Sequence, residues 1–253
     1  MKFFILSLTA TMTFITLASC ERKQVTLVLC FIDLSSRDSV AIEWYKESFK
    51  DHLLRNLPPE TRLVVLPVDY ASQTGSTELF RVDFSKNKYG NEYAGLQAAE
   101  IEQQQHQDSV SAAIQQFDRT FNLERQQRLQ FPEGTDLFGA LKQCAKYSVP
   151  GQRTLVVVFS DMLQFTDRQT MNFETRLANP DEIEQYLSGA EKVDLQGMEI
   201  IILTGPQRDM KPQKYAVIKV FWELYIQQCN GKLLGYSSGA VSQLETVLKV
   251  PEQ

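Results

Sequence analysis

Three stretches of this chain are apolar at nearly every position and rich in β-branched residues: Val25 to Ile32 (VTLVLCFI), Arg153 to Ser160 (RTLVVVFS) and Met198 to Thr204 (MEIIILT). A strand with one wet face alternates apolar and polar side chains. A continuous run reads instead as a strand buried on both faces, the kind found in the middle of a parallel sheet. Arg62 to Tyr70 (RLVVLPVDY) is a fourth strand, and Pro67 within it suggests an edge position or a bulge near its end. Thr77 to Ser85 alternates imperfectly and fits a short antiparallel edge strand; Lys232 to Tyr236 fits a last short one.

Helical spacing fills the gaps. Val40, Trp44, Phe49 and Leu53 mark a helix over Ser39 to Asn56 that ends before Pro58-Pro59. Leu137 to Tyr147 follows a turn at Phe131 to Asp136. Pro180 to Ser188 is opened by Asn179 or Asp181. Another helix starts at Pro212 and closes at Asn230-Gly231, a C-cap pair. Tyr93 to Gln130 is polar, Gln-rich and free of Pro, with one apolar stripe at Val110, Ile114, Phe117 and Phe121. Such a stripe predicts one long helix or two consecutive ones packed on their own domain rather than on a coiled-coil partner. Strands alternating with helices predict an α/β fold: a doubly wound, mostly parallel sheet, one antiparallel edge strand and an enlarged Gln-rich helical segment.

Composition excludes several classes. The hydrophobic fraction is 43% and the net charge −5, with no Lys/Arg run longer than two. A nucleic-acid surface would show a basic patch. Beyond Cys20 only Cys30, Cys144 and Cys229 remain, too few for a disulfide scaffold, and no Cys-x-x-Cys pair suggests a zinc ribbon. Neither Gly-x-Gly-x-x-Gly nor a Walker A motif is present, so no nucleotide is expected.

In doubly wound sheets the functional residues collect at the carboxyl ends of the strands, beside the point where strand order reverses. The first strand ends in Asp33-Leu34-Ser35-Ser36-Arg37-Asp38-Ser39, the loop before the middle helix carries Gly134-Thr135-Asp136, and the apolar run from Arg153 ends in Ser160-Asp161. Carboxylates and hydroxyls around one point suit a hard divalent cation, Mg2+ first, with Mn2+ or Ca2+ as alternatives. Each residue also has a plainer reading. Ser35, Ser36, Thr135 or Asp136 can cap the helix that follows, and Asp161 can simply end a strand.

In these three segments and their order the chain resembles the von Willebrand factor type A domain family. Its adhesion site combines Asp-x-Ser-x-Ser after the first strand, a Thr in a later loop and an Asp ending the fourth strand. The resemblance covers nearly all of Val25 to Val247. It implies metal ligands at Asp33, Ser35, Thr135 and Asp161, with an acidic side chain of a protein partner completing the shell. The motif departs at Arg37, where the family has its second Ser; either Ser36 takes that role or the hydroxyl is lost. A scaffold of the same fold without a metal is the second reading.

An enzyme is not expected. Only His52 and His106 are present, both in predicted helices, and no Gly-x-Ser-x-Gly elbow occurs. A phosphatase of the haloacid dehalogenase type would need a second Asp two residues after Asp33, where Ser35 stands.

The first residues carry an address. Lys2 precedes an apolar run from Phe3 to Leu17, followed by Leu17-Ala18-Ser19-Cys20. This is the pattern of a secretory signal, and Leu-Ala-Ser-Cys resembles the lipobox of bacterial lipoproteins. The expected organisation is a signal peptide over 1–19, a lipidated Cys20 with a short tether over 20–24, one domain over 25–247 and a tail over 248–253. The localisation expected is the cell envelope, lipid-anchored to a membrane outside the cytoplasm. So short a tether should hold the domain, and any strand-end site, close to that membrane. Labelled palmitate should enter the protein, and Cys20→Ala should abolish the labelling; unchanged incorporation in that variant would remove the anchor.

Overall fold

The three unbroken apolar runs become β1 (Leu27–Asp33), β4 (Thr154–Phe159) and β5 (Met198–Leu203). With β2 (Arg62–Val68), β3 (Phe80–Asp83) and β6 (Lys232–Tyr236) they form one six-stranded sheet of order β3-β2-β1-β4-β5-β6. All pairs are parallel except β2 with β3, which is antiparallel and forms one edge. This computed structural model describes residues 26–36, 38–70, 72, 77–84, 96–130, 134–149, 151–166, 171, 177, 179–206 and 210–249. The signal segment, Cys20 and its tether, Arg37, residues 93–95 and the tail from 250 onward lie outside the described residues.

Both faces of the sheet are covered, which is why its central strands need not alternate. Val28, Cys30 and Ile32 of β1 point into one core, with Ile42, Tyr45, Phe49, Phe117, Phe121 and Leu244. Leu27, Leu29 and Phe31 point into the other, with Leu137, Leu141, Ile183, Leu187, Phe221 and Trp222. The first core is roofed by α1 (Ser39–Ser48), α2 (Leu96–Arg128) and α6 (Val241–Leu248). The second is roofed by α3 (Leu137–Tyr147), α4 (Pro180–Gly189) and α5 (Pro212–Gln228).

Two sequence expectations change. The helix over Ser39 to Asn56 is α-helical only to Ser48; a π turn (Phe49–Leu53) and a 3-10 turn (Leu54–Asn56) complete it. Pro67 is not in an edge strand, and β1 pairs with β2 in register through Asp33↔Val68 without a bulge. The Val65 carbonyl accepts from the Leu79 N–H, so Val65, and Pro67 two residues on, face the β3 side. The ladder with β3 stops at Val65↔Phe80, and the missing N–H of Pro67 therefore falls where no strand stands opposite.

The Gln-rich segment is a single helix of 33 residues, about 50 Å long at ~1.5 Å per residue. It packs on its own domain. Phe117 meets Phe49 with ring centroids 4.1 Å apart and Phe80 at 5.9 Å. Asp118 stands between Lys50 and Lys46, at 3.3 and 3.8 Å. Farther back, His106 Nε2 is 2.9 Å from the Leu57 carbonyl and its ring packs on Phe84. Cys30, Cys144 and Cys229 are all buried free thiols.

The seven residues of β1 carry the chain from one end of the sheet to the other, about 20 Å at ~3.3 Å per residue, and Asp33 lies at the exit end. Because Phe117 is fully buried between the π turn at Phe49 and β3, Phe117→Ala should cost about 3–5 kcal/mol, read as a lower urea midpoint.

Candidate metal centre at the strand ends

The order of the strands reverses between β1 and β4, and their carboxyl ends deliver Asp33 and Ser160-Asp161 side by side. Asp33 is buried, with 2% of its surface exposed. Its Oδ1 accepts from the Ser35 N–H at 3.0 Å and from the Ser35 hydroxyl at 2.6 Å. Its Oδ2 accepts from the Ser160 hydroxyl at 2.8 Å. Ser35 Oγ also lies 2.5 Å from Thr135 Oγ1, tying the loop after β1 to the loop before α3.

The loops are built so that these hydroxyls are not spent on helix caps. Asp38 caps α1, accepting from Val40 N–H at 2.8 Å and Ala41 N–H at 3.4 Å. Asp136 caps α3, accepting from Gly139 N–H at 2.9 Å. Ser35 and Thr135, for which capping was the plainer reading, instead meet each other. Ser36 goes elsewhere: its Oγ accepts the Asp38 N–H at 3.2 Å, and only its backbone N–H turns to Asp33. Arg37 lies outside the described residues.

Glycine is required before Thr135. A Cβ on Gly134 would sit 2.8 Å from Tyr70 Cβ and 3.1 Å from the Phe165 carbonyl oxygen. That close approach lets Thr135 exchange both backbone hydrogen bonds with Phe165, at 2.6 and 3.0 Å. Gln164 finishes the corner; its Oε1 accepts the Leu137 N–H at 2.7 Å and its Nε2 reaches Asp136 at 3.3 Å.

Asp161 is partly exposed and uses Oδ1 to accept the Leu163 N–H at 2.9 Å. The turn after it passes through Met162 in the left-handed region, at φ 63°, which costs a non-glycine residue energy. Two bonds hold it there: Met162 N–H to Ser160 Oγ at 3.0 Å, and Trp222 Nε1–H to the Met162 carbonyl at 2.9 Å. Ser160 and Trp222 are the working residues that motif reading passed over. Ser160 was visible as a hydroxyl at a strand end, but Trp222 had no local signal, being 60 residues from the carbonyl it holds.

Two carboxylates dominate the electrostatics of the site. Burial raises the Asp33 pKa despite four hydrogen bonds that lower it. Burial, and then the neighbouring Asp33 carboxylate, push Asp161 up to about 7, with Leu163 N–H and Lys214 pulling it partly back. Two carboxylates and two hydroxyls converge here, all hard oxygen donors, and this donor set fits a small divalent cation. Among the described residues no cluster of three or more His, Cys, Asp or Glu forms, so a cation would depend on the hydroxyls as well as the carboxylates.

No protein-family model and no curated protein matches this chain. Solved structures do. One is a von Willebrand factor type A protein from Catenulispora acidiphila, at 12% identity and a TM-score of 0.42, covering 90% of this chain and 43% of that one. Another is BatB from Bacteroides thetaiotaomicron, at 8% identity and 0.38, covering 88% and 97%. A third is the pilus adhesin SpaC from Lactobacillus rhamnosus GG, at 10% and 0.34, covering 89% and 29%. The chain spans less than half the length of the first of these. The doubly wound sheet of this chain is similar to that of von Willebrand factor type A proteins; the site is read from its own geometry.

The raised pKa of Asp161 fixes a pH dependence. A folded-state pKa above the unfolded value of 3.8 gives stability that is full below about 4 and lost as pH rises through about 7. In chelator, the melting temperature of the wild type should therefore fall between pH 5 and 8, and that of Asp161→Asn should fall less. Identical pH profiles for the two proteins would show that Asp161 is not the strained group.

Proposed function

We propose that this chain is a membrane-anchored, extracytoplasmic binding protein that holds a divalent cation, Mg2+ first, at Asp33, Ser35, Thr135 and Asp161 and through it engages an acidic side chain of a protein partner. The observation that carries this reading is the buried Asp33 carboxylate, which accepts the Ser35 hydroxyl at 2.6 Å with Thr135 Oγ1 2.5 Å beyond, and Asp161 just past the end of the adjacent strand. A buried like-charge pair is unfavourable by itself and becomes favourable once a cation stands between its members. Ser35 and Thr135 would offer hydroxyl oxygens, and the two carboxylates would supply the charge. The cation would act as a Lewis acid holding an open position for an outside carboxylate, and it would carry out no reaction.

Ser36, entered among the candidate ligands, has its hydroxyl on the Asp38 N–H and its backbone on Asp33. In this reading it shapes the loop. A metal-independent scaffold has one observation in its favour: Ser35 already bridges Asp33 and Thr135 without help, so the cluster can serve as a clasp between loops.

Adding millimolar Mg2+ or Mn2+ should raise the melting temperature. Saturation at about 100 times the Kd is worth ~2.7 kcal/mol, several degrees for a domain of this size. Asp33→Ala and Thr135→Ala should each remove the shift. No shift in the wild type with either ion would leave the scaffold reading.

A further inference from the structure

Beyond its bridge to Phe165, the Thr135 loop rests on the loop that follows β2. The Asp69 carbonyl accepts the Asp136 N–H at 3.0 Å, and Gly134 lies so close to Tyr70 that a Cβ on it would stand 2.8 Å from Tyr70 Cβ. Residues 69–70 are therefore the seat on which Gly134-Thr135-Asp136 is laid. One end of the seat is fastened by Ser72. Its hydroxyl accepts the Asp69 N–H and donates to the Asp69 carbonyl, both at 3.0 Å. The Ser72 carbonyl in turn accepts Gln143 Nε2 of α3 at 2.7 Å, and both residues are buried.

The other end is fastened by charge. Arg128, in the last turn of α2, donates from Nε to Asp69 Oδ2 at 3.2 Å, and its Nη1 meets Glu124 one turn back on the same helix. The side chains of Arg128 and Asp69 are 11 and 15% exposed. A carboxylate so far out of water is costly unless a partner neutralises it. Without the guanidinium, Asp69 and Glu124 would be two like charges with nothing between them, and they would repel. Asp69 would turn toward solvent, and the backbone that carries the Asp136 N–H would turn with it. The contacts run without a gap from α2 to the cluster: Arg128 to Asp69, Asp69 to Asp136, and Thr135 Oγ1 to Ser35 Oγ at 2.5 Å.

We propose that Arg128 is a positioning residue for the strand-end cluster: by holding Asp69 it fixes the seat of Thr135, and so the Gln-rich helix sets how closely the Thr135 hydroxyl can approach a cation. Arg128 acts through Asp69 and is not itself a ligand. The effect on cation affinity rests on the reading proposed above; the effect on the loop rests on these contacts alone.

The test uses the full chain, with Mn2+ affinity read from the electron paramagnetic resonance of free Mn2+ and amide hydrogen exchange read by mass spectrometry in chelator. Arg128→Met keeps the stem and removes the charge. It should weaken Mn2+ binding about tenfold, the low end of what the outer partners of a metal site are worth. In chelator it should speed exchange over residues 134–137 while β4 and β5 keep wild-type protection. Arg128→Lys, which keeps the charge, should recover most of the affinity. Adding Asp69→Asn to Arg128→Met removes the stranded acid and should also recover part of it. Gln127→Met, at the neighbouring exposed position of the same helix, should change neither readout. Unchanged affinity and exchange in Arg128→Met would overturn the inference. So would faster exchange throughout the sheet, or a double variant no better than the single one, since either describes a general loss of stability. If the wild type binds no Mn2+, the cation reading falls and the affinity effect with it; exchange over 134–137 then decides the positioning alone.

Discussion

A carboxylate has been carried into the interior at the end of the most central strand, and the loops around it are arranged to tolerate it. Asp33 lies between the ends of β2 and β4, where solvent is excluded, and a charge there is costly unless hydrogen-bonded. The hydroxyls of Ser35 and Ser160 and the backbone of Ser35 supply those bonds. Ser35 then links to Thr135, Thr135 to Phe165, and Ser160 to the strained Met162. Three loops from separate parts of the chain are thereby fixed by one buried acid. Replacing it would leave several donors without an acceptor, so its influence extends well beyond its own charge.

The helices serve that arrangement unequally. α1 and α3 begin at the site, each with its own acidic cap, so that capping and site chemistry do not compete for the same side chains. α5 reaches it through Trp222. The long α2 contributes mass: its aromatic stripe closes the core beside β3, and only its last turn approaches the site, through Arg128 and Asp69.

How far the sequence carried the structure varies with how local the cause is. The central strands were legible because burial on both faces leaves continuous apolar runs. The antiparallel edge was legible from its alternation over Leu79, Val82 and Phe84. Asp33, Thr135 and Asp161 could be singled out because each stands just past a strand or in a turn before a helix. Pro67 was misjudged: its tolerance depends on where the neighbouring β3 stops, a fact of pairing that no single segment encodes. The final helix over Val241 to Leu248 left too short a pattern to be read after β6. Which of Ser35 and Ser36 would meet Thr135 turned on the choice of Asp38 as cap, again a matter of competition between neighbours.

The placement of the two tryptophans has an optical consequence. Trp222 donates its indole N–H to the carbonyl next to Asp161, and Trp44 lies against Gly205 just beyond the end of β5. These are the only tryptophans in the chain, and they sit on helices at either side of the same strand ends. The intrinsic emission of this protein is therefore not an average over the whole domain. It originates on either side of the strand ends where Asp33 and Asp161 stand, so a change of charge at those carboxylates would alter the emission of the unmodified molecule.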